Sequence, residues 1–227
     1  MFEFFQAGGW LMLPILLSSI IAMAIIMERS LSLRSIRVVP RSAIKLARAL
    51  AKMQNIPVEE LAKLRKHSLV GKVLVNVLDN HQQPRYMIRE NVEEAGRHAV
   101  HEMERYMTTL GTISTITPLM GLLGTVLGMI QVFAVITDVG IGNPTDLAGG
   151  ISQALITTAA GISVAIITLI FHRYFKAKID DHITVMEKES LSLIEIVNAV
   201  NQRKAKSATI QALKQQKISA DQAGQSI

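Results

Sequence analysis

The stretch "TITPLMGLLGTVLGMI", residues 115–130, decides how the chain folds, because it is apolar enough for a bilayer yet rich in small and hydroxylated residues. It contains Pro118, three glycines and three threonines, where a helix that served only as an anchor would carry leucine. Helices in lipid associate largely through close packing, which small residues permit. The stretch therefore predicts a membrane helix that packs closely against another helix.

Charged residues leave three long gaps in the 227-residue chain. Asp, Glu, Lys and Arg make up 19% of the residues but are absent from 4–27, 106–137 and 147–171. About 20 apolar helical residues cross a bilayer, so each gap is long enough to span it. We predict an all-α, polytopic membrane protein with three transmembrane helices. These helices are expected at 10–27, 108–137 and 147–171.

The basic residues predict how the chain is oriented. All 24 Lys and Arg lie in two segments, with 15 in residues 28–107 and 9 in residues 172–227. Because Lys and Arg near span ends stay in the cytoplasm, these two segments are expected inside. Residues 1–9 and the short loop 138–146 are expected outside. The net charge of +6 is then a topology signal, and nucleic acid is not expected as a partner.

The first span is expected to stay in the mature chain. Glu3 precedes it without any Lys or Arg, and no small-x-small cleavage site follows it, which argues against a cleaved signal peptide. Cysteine is absent, so disulfides, thiol catalysis and cysteine metal sites are excluded.

Residues 28–107 are expected to form a cytoplasmic helical segment. A break near Pro40 and another before Pro57 predict two short amphipathic helices at 41–53 and 57–66. The stretch "LVGKVLVNVLDN", residues 69–80, fits a helix or a strand, and we favour a helix.

The second span is expected to begin as a long cytoplasmic helix. From Pro84 to Thr137 no strong breaker occurs, and apolar residues recur every three or four positions. At about 1.5 Å per residue this predicts one helix of about 80 Å, with Gly96 and Pro118 as possible kinks.

The third span is expected to continue into the cytoplasm in the same way. An apolar stripe from Phe175 to Val200 needs a partner to bury it, and the helix that begins at Pro84 is the predicted antiparallel partner. The last twenty residues, rich in Gln, Lys, Ala and Ser, are expected to be frayed.

Small residues form one face on each of the two later spans. On the second span they are Gly121, Gly124, Thr125 and Gly128. On the third they are Gly150, Ala154, Thr157, Thr158, Gly161 and Ala165. Helix packing alone accounts for the glycines. A single threonine can bond to its own preceding turn, but several threonines together with Gln153 indicate a hydrated seam or a lined pore.

Catalytic and metal sites are not expected. His98 and His101 share a helical face with Glu94 and Glu102, but two histidines without a third ligand are more typical of a solvated face. The spans lack the polar pairs that an intramembrane enzyme needs. We therefore predict no enzyme activity, no metal and no cofactor.

Two motifs resemble the ExbB/TolQ/MotA proton-channel family. "TPLMGLLGTVLG", residues 117–128, is similar to the family's SPFxGLxGTVxG, and "GISQALITTAAGI", residues 150–162, is similar to GIxxALxxTAxGL. The three spans, the long loop after the first span and the short outer loop are closest to ExbB or TolQ. The resemblance covers most of the chain.

The resemblance implies a ring-forming subunit of the bacterial inner membrane. Five copies would surround ExbD- or TolR-like single-span partners, whose aspartate carries protons that drive rotation, and a TonB- or TolA-like protein would pass on the motion. By motif, Thr125 and Thr158 are expected to line the pore, and Pro118 to shape the second span. Gln153 stands where many relatives have Glu, and we expect it, with Thr157, to line the pore without titrating. The glycines at 121, 124, 128, 150 and 161 are expected to pack the helices.

The residues leave one alternative class open. Proton relays through membranes use Asp, Glu or His, and the three gaps contain none of these before His172. The chain must therefore borrow a carboxylate from a partner, or it is a non-conducting scaffold that holds a partner helix. A transporter made of this chain alone is disfavoured for the same reason.

Overall fold

The computed structural model describes residues 8–53, 56–139 and 144–224, except for the side chains of residues 138–139, 144–146, 205, 208 and 211–224. The described residues contain helices and no strands. The helices are α1 (Met12–Ser32), α2 (Ser35–Val38), α3 (Arg41–Leu50), α4 (Val58–His67), α5 (Leu69–Asp79), α6 (Arg85–Glu104), α7 (Met107–Val139) and α8 (Pro144–Gly224). Most of the predicted outer segment 1–9 and the centre of the predicted outer loop 138–146 lie outside the described residues.

The chain divides into two compact units. The first contains Met1–Leu33 and Glu104–Ile179, and the second contains Arg34–Met103 and Asp180–Ile227. The helix α8 contributes residues to both. Its backbone is helical to Gly224, where the sequence led us to expect a frayed tail, because Ala, Gln and Lys are strong helix formers.

The first unit holds the helices suited to a membrane. Among the described residues, three helical segments are long and apolar enough to cross one, namely α1, Met107–Thr137 of α7 and Leu147–Lys204 of α8, the last of which extends beyond the first unit. In α1, Ile15, Ala22 and Ile26 are buried while Leu17 and Ile20 are exposed, so one face packs inward and the other presents large apolar side chains. Pro14 lies in the first turn, where a missing N–H costs no hydrogen bond.

The predicted continuous helix from Pro84 to Thr137 is wrong at one point. Helix α6 ends at Glu104 and α7 begins at Met107, while Gly96 and Pro118 lie inside helices. Tyr106 has a φ of 63°, a left-handed conformation that is costly for a residue with a Cβ. Its ring centre lies 5.6 Å from the guanidinium of Arg29 and 4.7 Å from that of Arg105, and such cation–π contacts offset part of that cost.

The second unit is built around α5, as the favoured helix prediction for residues 69–80 requires. Val70, Leu74, Val75 and Val77 are at most 1% exposed, and α2, α3 and α4 all pack on this helix. The hydroxyl of Ser68 caps α5 by accepting the N–H of Gly71 at 3.1 Å. Because valine and leucine are buried on several sides of α5, its sequence reads equally well as a buried strand.

The apolar stripe of α8 is buried in the second unit. Met186, Leu193 and Val197 are at most 3% exposed. Two polar contacts lie on the same part of α8: Arg48 of α3 pairs with Glu189 at 2.6 Å, and the amide of Asn201 donates to the carbonyl of His81 at 2.5 Å. These contacts bring α3 and the turn after α5 to the stripe, and packing by the helix from Pro84 stays a prediction.

Candidate functional site

The site lies where α7 and α8 meet in the first unit, and glycines on α7 let the two helices approach closely. A Cβ added to Gly121 would lie 3.0 Å from the Cα of Thr158, and one added to Gly124 would lie 2.8 Å from the Cβ of Thr157. A Cβ on Gly128 would lie 2.9 Å from the carbonyl oxygen of Gly150. Real Cβ atoms almost never come under 3.0 Å of another atom, so a side chain at Gly124 or Gly128 would force its neighbours to shift, and at Gly121 the facing helix would have to give by a few tenths of an ångström.

The glycines of α8 contact α7 in the same way. A Cβ on Gly161 would lie 2.5 Å from the carbonyl oxygen of Thr117 and 3.1 Å from the Cα of Gly121. A Cβ on Gly150 would lie 2.6 Å from a methyl group of Val132. Gly161 therefore meets backbone, which cannot move aside, whereas Gly150 meets a side chain. We call this contact the α7–α8 seam. It is formed by Thr117, Gly121, Gly124, Gly128, Gly150, Ala154, Thr157, Thr158 and Gly161, and Thr125 and Gln153 adjoin it in the sequence.

Thr158 joins the two helices by a hydrogen bond. Its hydroxyl donates to the carbonyl oxygen of Gly121 at 2.7 Å. The hydroxyl of Thr125 donates instead to Leu122 of its own helix at 2.6 Å. Both threonines are half-buried.

Thr157 is buried within the protomer, and its expected role in lining a pore stays a prediction. Its side chain is 1% exposed, and its hydroxyl lies 2.9 Å from the carbonyl oxygen of Gly8 and 2.8 Å from that of Gln153. One hydroxyl proton serves these two acceptors. Through its bond to Gly8, this side chain holds the segment before α1 against α8.

Gln153 lies against the same N-terminal segment. A Cβ on Gly9 would overlap the side-chain amide of Gln153, and Gly9 has a φ of 69°. Gln153 itself is half-buried. The amide therefore packs on a glycine turn, and sequence reasoning missed this contact because nothing in "QAGGW" signals a partner in the third span.

Pro118 lies within α7 without ending the helix. A proline removes one backbone donor and leaves a carbonyl one turn earlier unpaired. Beside it Thr117 is fully buried, and its hydroxyl donates to the carbonyl oxygen of Ile113 at 2.6 Å. Ser114 likewise donates to Gly111 at 2.7 Å. These hydroxyls bond to carbonyls of the preceding turn, and neither acceptor is the carbonyl of Ser114, which loses its helical donor at Pro118.

The seam contains no ionisable side chain. Residues 106–137 and 147–171 lack Asp, Glu, Lys, Arg and His. His172, just beyond, lies against Gly111. The seam can therefore pack helices and form hydrogen bonds, but it holds no group that could take up and release a proton.

One histidine of α6, His98, lines a polar cavity in the second unit. This cavity has a volume of about 460 Å³, and its walls include Lys72, Glu94, His98 and Glu102. Lys72 and Glu102 form an ion pair at 2.9 Å. Among the described residues, no three or more His, Cys, Asp or Glu side chains lie close enough together to hold a metal ion.

Comparison with known proteins assigns the family. The family model described as "MotA/TolQ/ExbB proton channel family" matches residues 60–188, more than half of the chain. The chain belongs to this family. The matched range includes α7 and the seam.

Named relatives agree with this assignment. A protein of Synechocystis sp. named ExbB-like 3 is 32% identical over 181 residues, which cover 76% of this chain and 83% of that protein. The biopolymer transport protein exbB1 of Vibrio cholerae is 31% identical over 170 residues, with 71% and 72% covered. The Tol-Pal system protein TolQ of Pseudomonas aeruginosa is 33% identical over 95 residues, which are 40% of this chain and 41% of that protein.

The geometry of Gly9 gives a stability prediction. Gly9→Ala is expected to destabilise the protein by about 1–2 kcal/mol from backbone strain alone, and by more because the methyl group displaces Gln153. Gly149→Ala is the matched control, because a Cβ there meets nothing within 4 Å, and alanine favours a helix. Thermal unfolding of both variants in the same detergent is the measurement. Equal stability of Gly9→Ala and wild type would contradict the observed packing.

Proposed function

We propose that this chain is the ring subunit of a proton-driven motor of the ExbB/TolQ type in a bacterial inner membrane. An ExbD- or TolR-like single-span partner would supply an acidic residue, and a TonB- or TolA-like protein would use the motion for outer-membrane transport or envelope maintenance. The chain would place its N-terminus in the periplasm and its C-terminus in the cytoplasm. Membership of the family and relatives named for biopolymer transport support this proposal.

One observation carries the proposal, namely that the seam combines hydroxyl groups with a complete absence of ionisable groups. A proton cannot cross hydrocarbon without Asp, Glu, His or a similar relay. A subunit of a proton channel that has no such residue in its spans must work with a carboxylate from another chain. The half-buried Thr125 and Thr158 are the groups proposed to meet it.

The direction of the hydroxyl bonds suggests which form of that carboxylate they favour. Thr125 and Thr158 both donate their proton to backbone carbonyls, so their oxygen atoms remain as acceptors. An acceptor stabilises a protonated carboxyl group, which is a donor, and not a carboxylate. The seam is therefore proposed to favour the neutral, proton-carrying form of the partner's acid in the hydrocarbon region.

The alternative function, a scaffold that holds a partner helix without conducting, has an observation in its favour. The hydroxyl protons of Thr125, Thr157 and Thr158 are all bonded within the chain, as expected if they serve only helix packing. Proton flux separates the two functions, because a scaffold does not conduct protons even when its partner is present.

The decisive experiment is proton flux into liposomes. We expect no flux above the lipid background with this protein alone, and clear flux when its single-span partner is reconstituted with it. A partner whose membrane Asp is changed to Asn should return flux to background, because amide groups do not carry protons. Flux through this protein alone would contradict the borrowed carboxylate, and no flux with the intact partner would favour the scaffold.

Assembly gives a separate prediction. We expect a symmetric oligomer, of five subunits by family resemblance, in which α7 and α8 face the axis and α1 faces lipid. The exposed apolar face of α1, with Leu17 and Ile20, fits lipid contact. Cysteines introduced at Leu17 should not cross-link across the axis, whereas cysteines at the exposed Leu122 of α7 should bring neighbouring copies together. Efficient cross-linking through Leu17 alone would contradict this arrangement.

A further inference from the structure

From the last turn of α1 onward the chain carries a basic segment that contains no acidic residue. Residues 29–58 contain Arg29, Arg34, Arg37, Arg41, Lys45, Arg48 and Lys52, and no Asp or Glu. Such clusters next to a membrane helix attract anionic lipids, at about 1 kcal/mol per basic residue near the surface.

Chain connectivity fixes where this run begins. Helix α1 ends at Ser32, and Arg34 follows two residues later. A chain extends at most about 3.6 Å per residue, so the Cα of Arg34 lies within about 7 Å of the helix end. The headgroup layer is about 5–8 Å thick on each side of the hydrocarbon. Arg34 therefore reaches headgroup depth however the second unit is placed.

Four cations of this run are not used inside the protein. Arg34, Arg37, Arg41 and Lys45 are exposed, and none forms an ion pair with a described residue. Other basic residues of the second unit do pair, as Arg48 does with Glu189 and Arg65 with Asp79. Helix α3 buries Ala43, Ala47 and Leu50, which leaves Arg41 and Lys45 on its outer face.

An apolar side chain stands among these cations. Ile36 in α2 is 82% exposed, the highest value among the large apolar side chains that the structure describes. Arg37 follows it directly, and Arg34 precedes it by two positions. An apolar side chain flanked by long basic ones is typical of a segment that lies in a membrane interface, where the apolar group enters the lipid and the cations stay at the headgroups.

We propose that Arg34, Arg37, Arg41 and Lys45, together with Ile36, form a binding surface for anionic phospholipid headgroups such as phosphatidylglycerol. Phosphate oxygens supply the acceptors that guanidinium and ammonium groups need, and the acyl chains accommodate Ile36. The surface holds the segment after α1 at the membrane, and it is independent of proton conduction.

The test compares two triple variants of the full-length protein that lose the same charge. The variant R34Q/R37Q/R41Q removes cations of the surface, and K66Q/R85Q/R97Q removes three exposed cations elsewhere in the second unit. Each protein in neutral detergent is titrated with phosphatidylglycerol, phosphatidylcholine or inorganic phosphate, and bound lipid is counted by native mass spectrometry. We expect wild type and the control to prefer phosphatidylglycerol, and the surface variant to lose at least tenfold of that preference, since one basic residue is worth about fivefold.

A second measurement needs only wild type, so the proposal stays testable if the surface variant folds poorly. Raising the salt from about 0.05 to 0.5 M shortens the screening length severalfold and should reduce the preference for phosphatidylglycerol strongly. Ile36→Ser should weaken lipid retention while leaving this salt dependence in place. Equal binding of the two lipids by wild type, equal loss in both triple variants, or competition by inorganic phosphate at lipid-like concentrations would each overturn the proposal.

Discussion

Gly161→Leu is expected to abolish the native pairing of α7 with α8 and any oligomer built on it. At this position even a Cβ would lie 2.5 Å from the carbonyl oxygen of Thr117 and 3.1 Å from the Cα of Gly121. Both are backbone atoms of the facing helix, so the helices must separate to admit leucine. Ordinary overpacking costs about 1–3 kcal/mol, and a clash with backbone along a close-packed interface exceeds this range. Separation also removes the bond from Thr158 to Gly121.

Alanine variants of these glycines are expected to rank by what their Cβ meets, and Gly149→Leu is the control. Gly124→Ala meets the side chain of Thr157, whereas Gly161→Ala meets backbone, so the second alanine variant should be less stable. Gly149→Leu, on the same helix as Gly161, meets nothing within 4 Å of its Cβ and should assemble. Size-exclusion chromatography and native mass spectrometry of the purified proteins give the readout. A Gly161→Leu protein with the wild-type mass and stability would show that the seam is not close-packed in solution.

Much of the apolar helical part could be predicted from sequence, because the features that locate it are composition and spacing within single segments. Charged groups are costly in hydrocarbon, so the gaps in the charge pattern are sufficient to locate the apolar helices. Glycines spaced by three or four residues indicate a close contact by the same logic, and the observed contacts of Gly121 and Gly124 are of this kind.

Other features depend on contacts that no local pattern reports. Helix α6 ends before Tyr106 although neither glycine nor proline marks the place, and the contact of the Tyr106 ring with Arg29 joins residues far apart in the sequence. Thr157 bonds to the carbonyl of Gly8, a contact within the protomer that its sequence neighbours do not reveal. A threonine in a membrane helix can bond to its own turn, to another helix or to a ligand, and its neighbours in sequence do not distinguish these cases.

The two remaining threonines therefore make the sharpest test of the proposed mechanism. Thr125→Val and Thr158→Val both keep the shape of the side chain and remove the oxygen proposed to accept from the partner's acid. An unsatisfied polar group costs about 1–3 kcal/mol, so each variant is expected to lose about 5- to 150-fold of its partner-dependent proton flux in liposomes.

Their effects on stability should differ, because the two hydroxyls have different partners. Thr158→Val removes a bond between helices, and such bonds in membrane proteins contribute about 0.6 kcal/mol on average and at most about 1.7 kcal/mol. Thr125→Val removes only a bond within one turn of α7 and should leave stability unchanged. Thr158→Ser keeps the hydroxyl and is expected to retain both flux and stability. If Thr125→Val conducts like wild type in the assembled complex, its oxygen does not meet the acid. If Thr158→Val loses stability but keeps its flux, Thr158 serves packing alone. That result would contradict its proposed role in proton transfer.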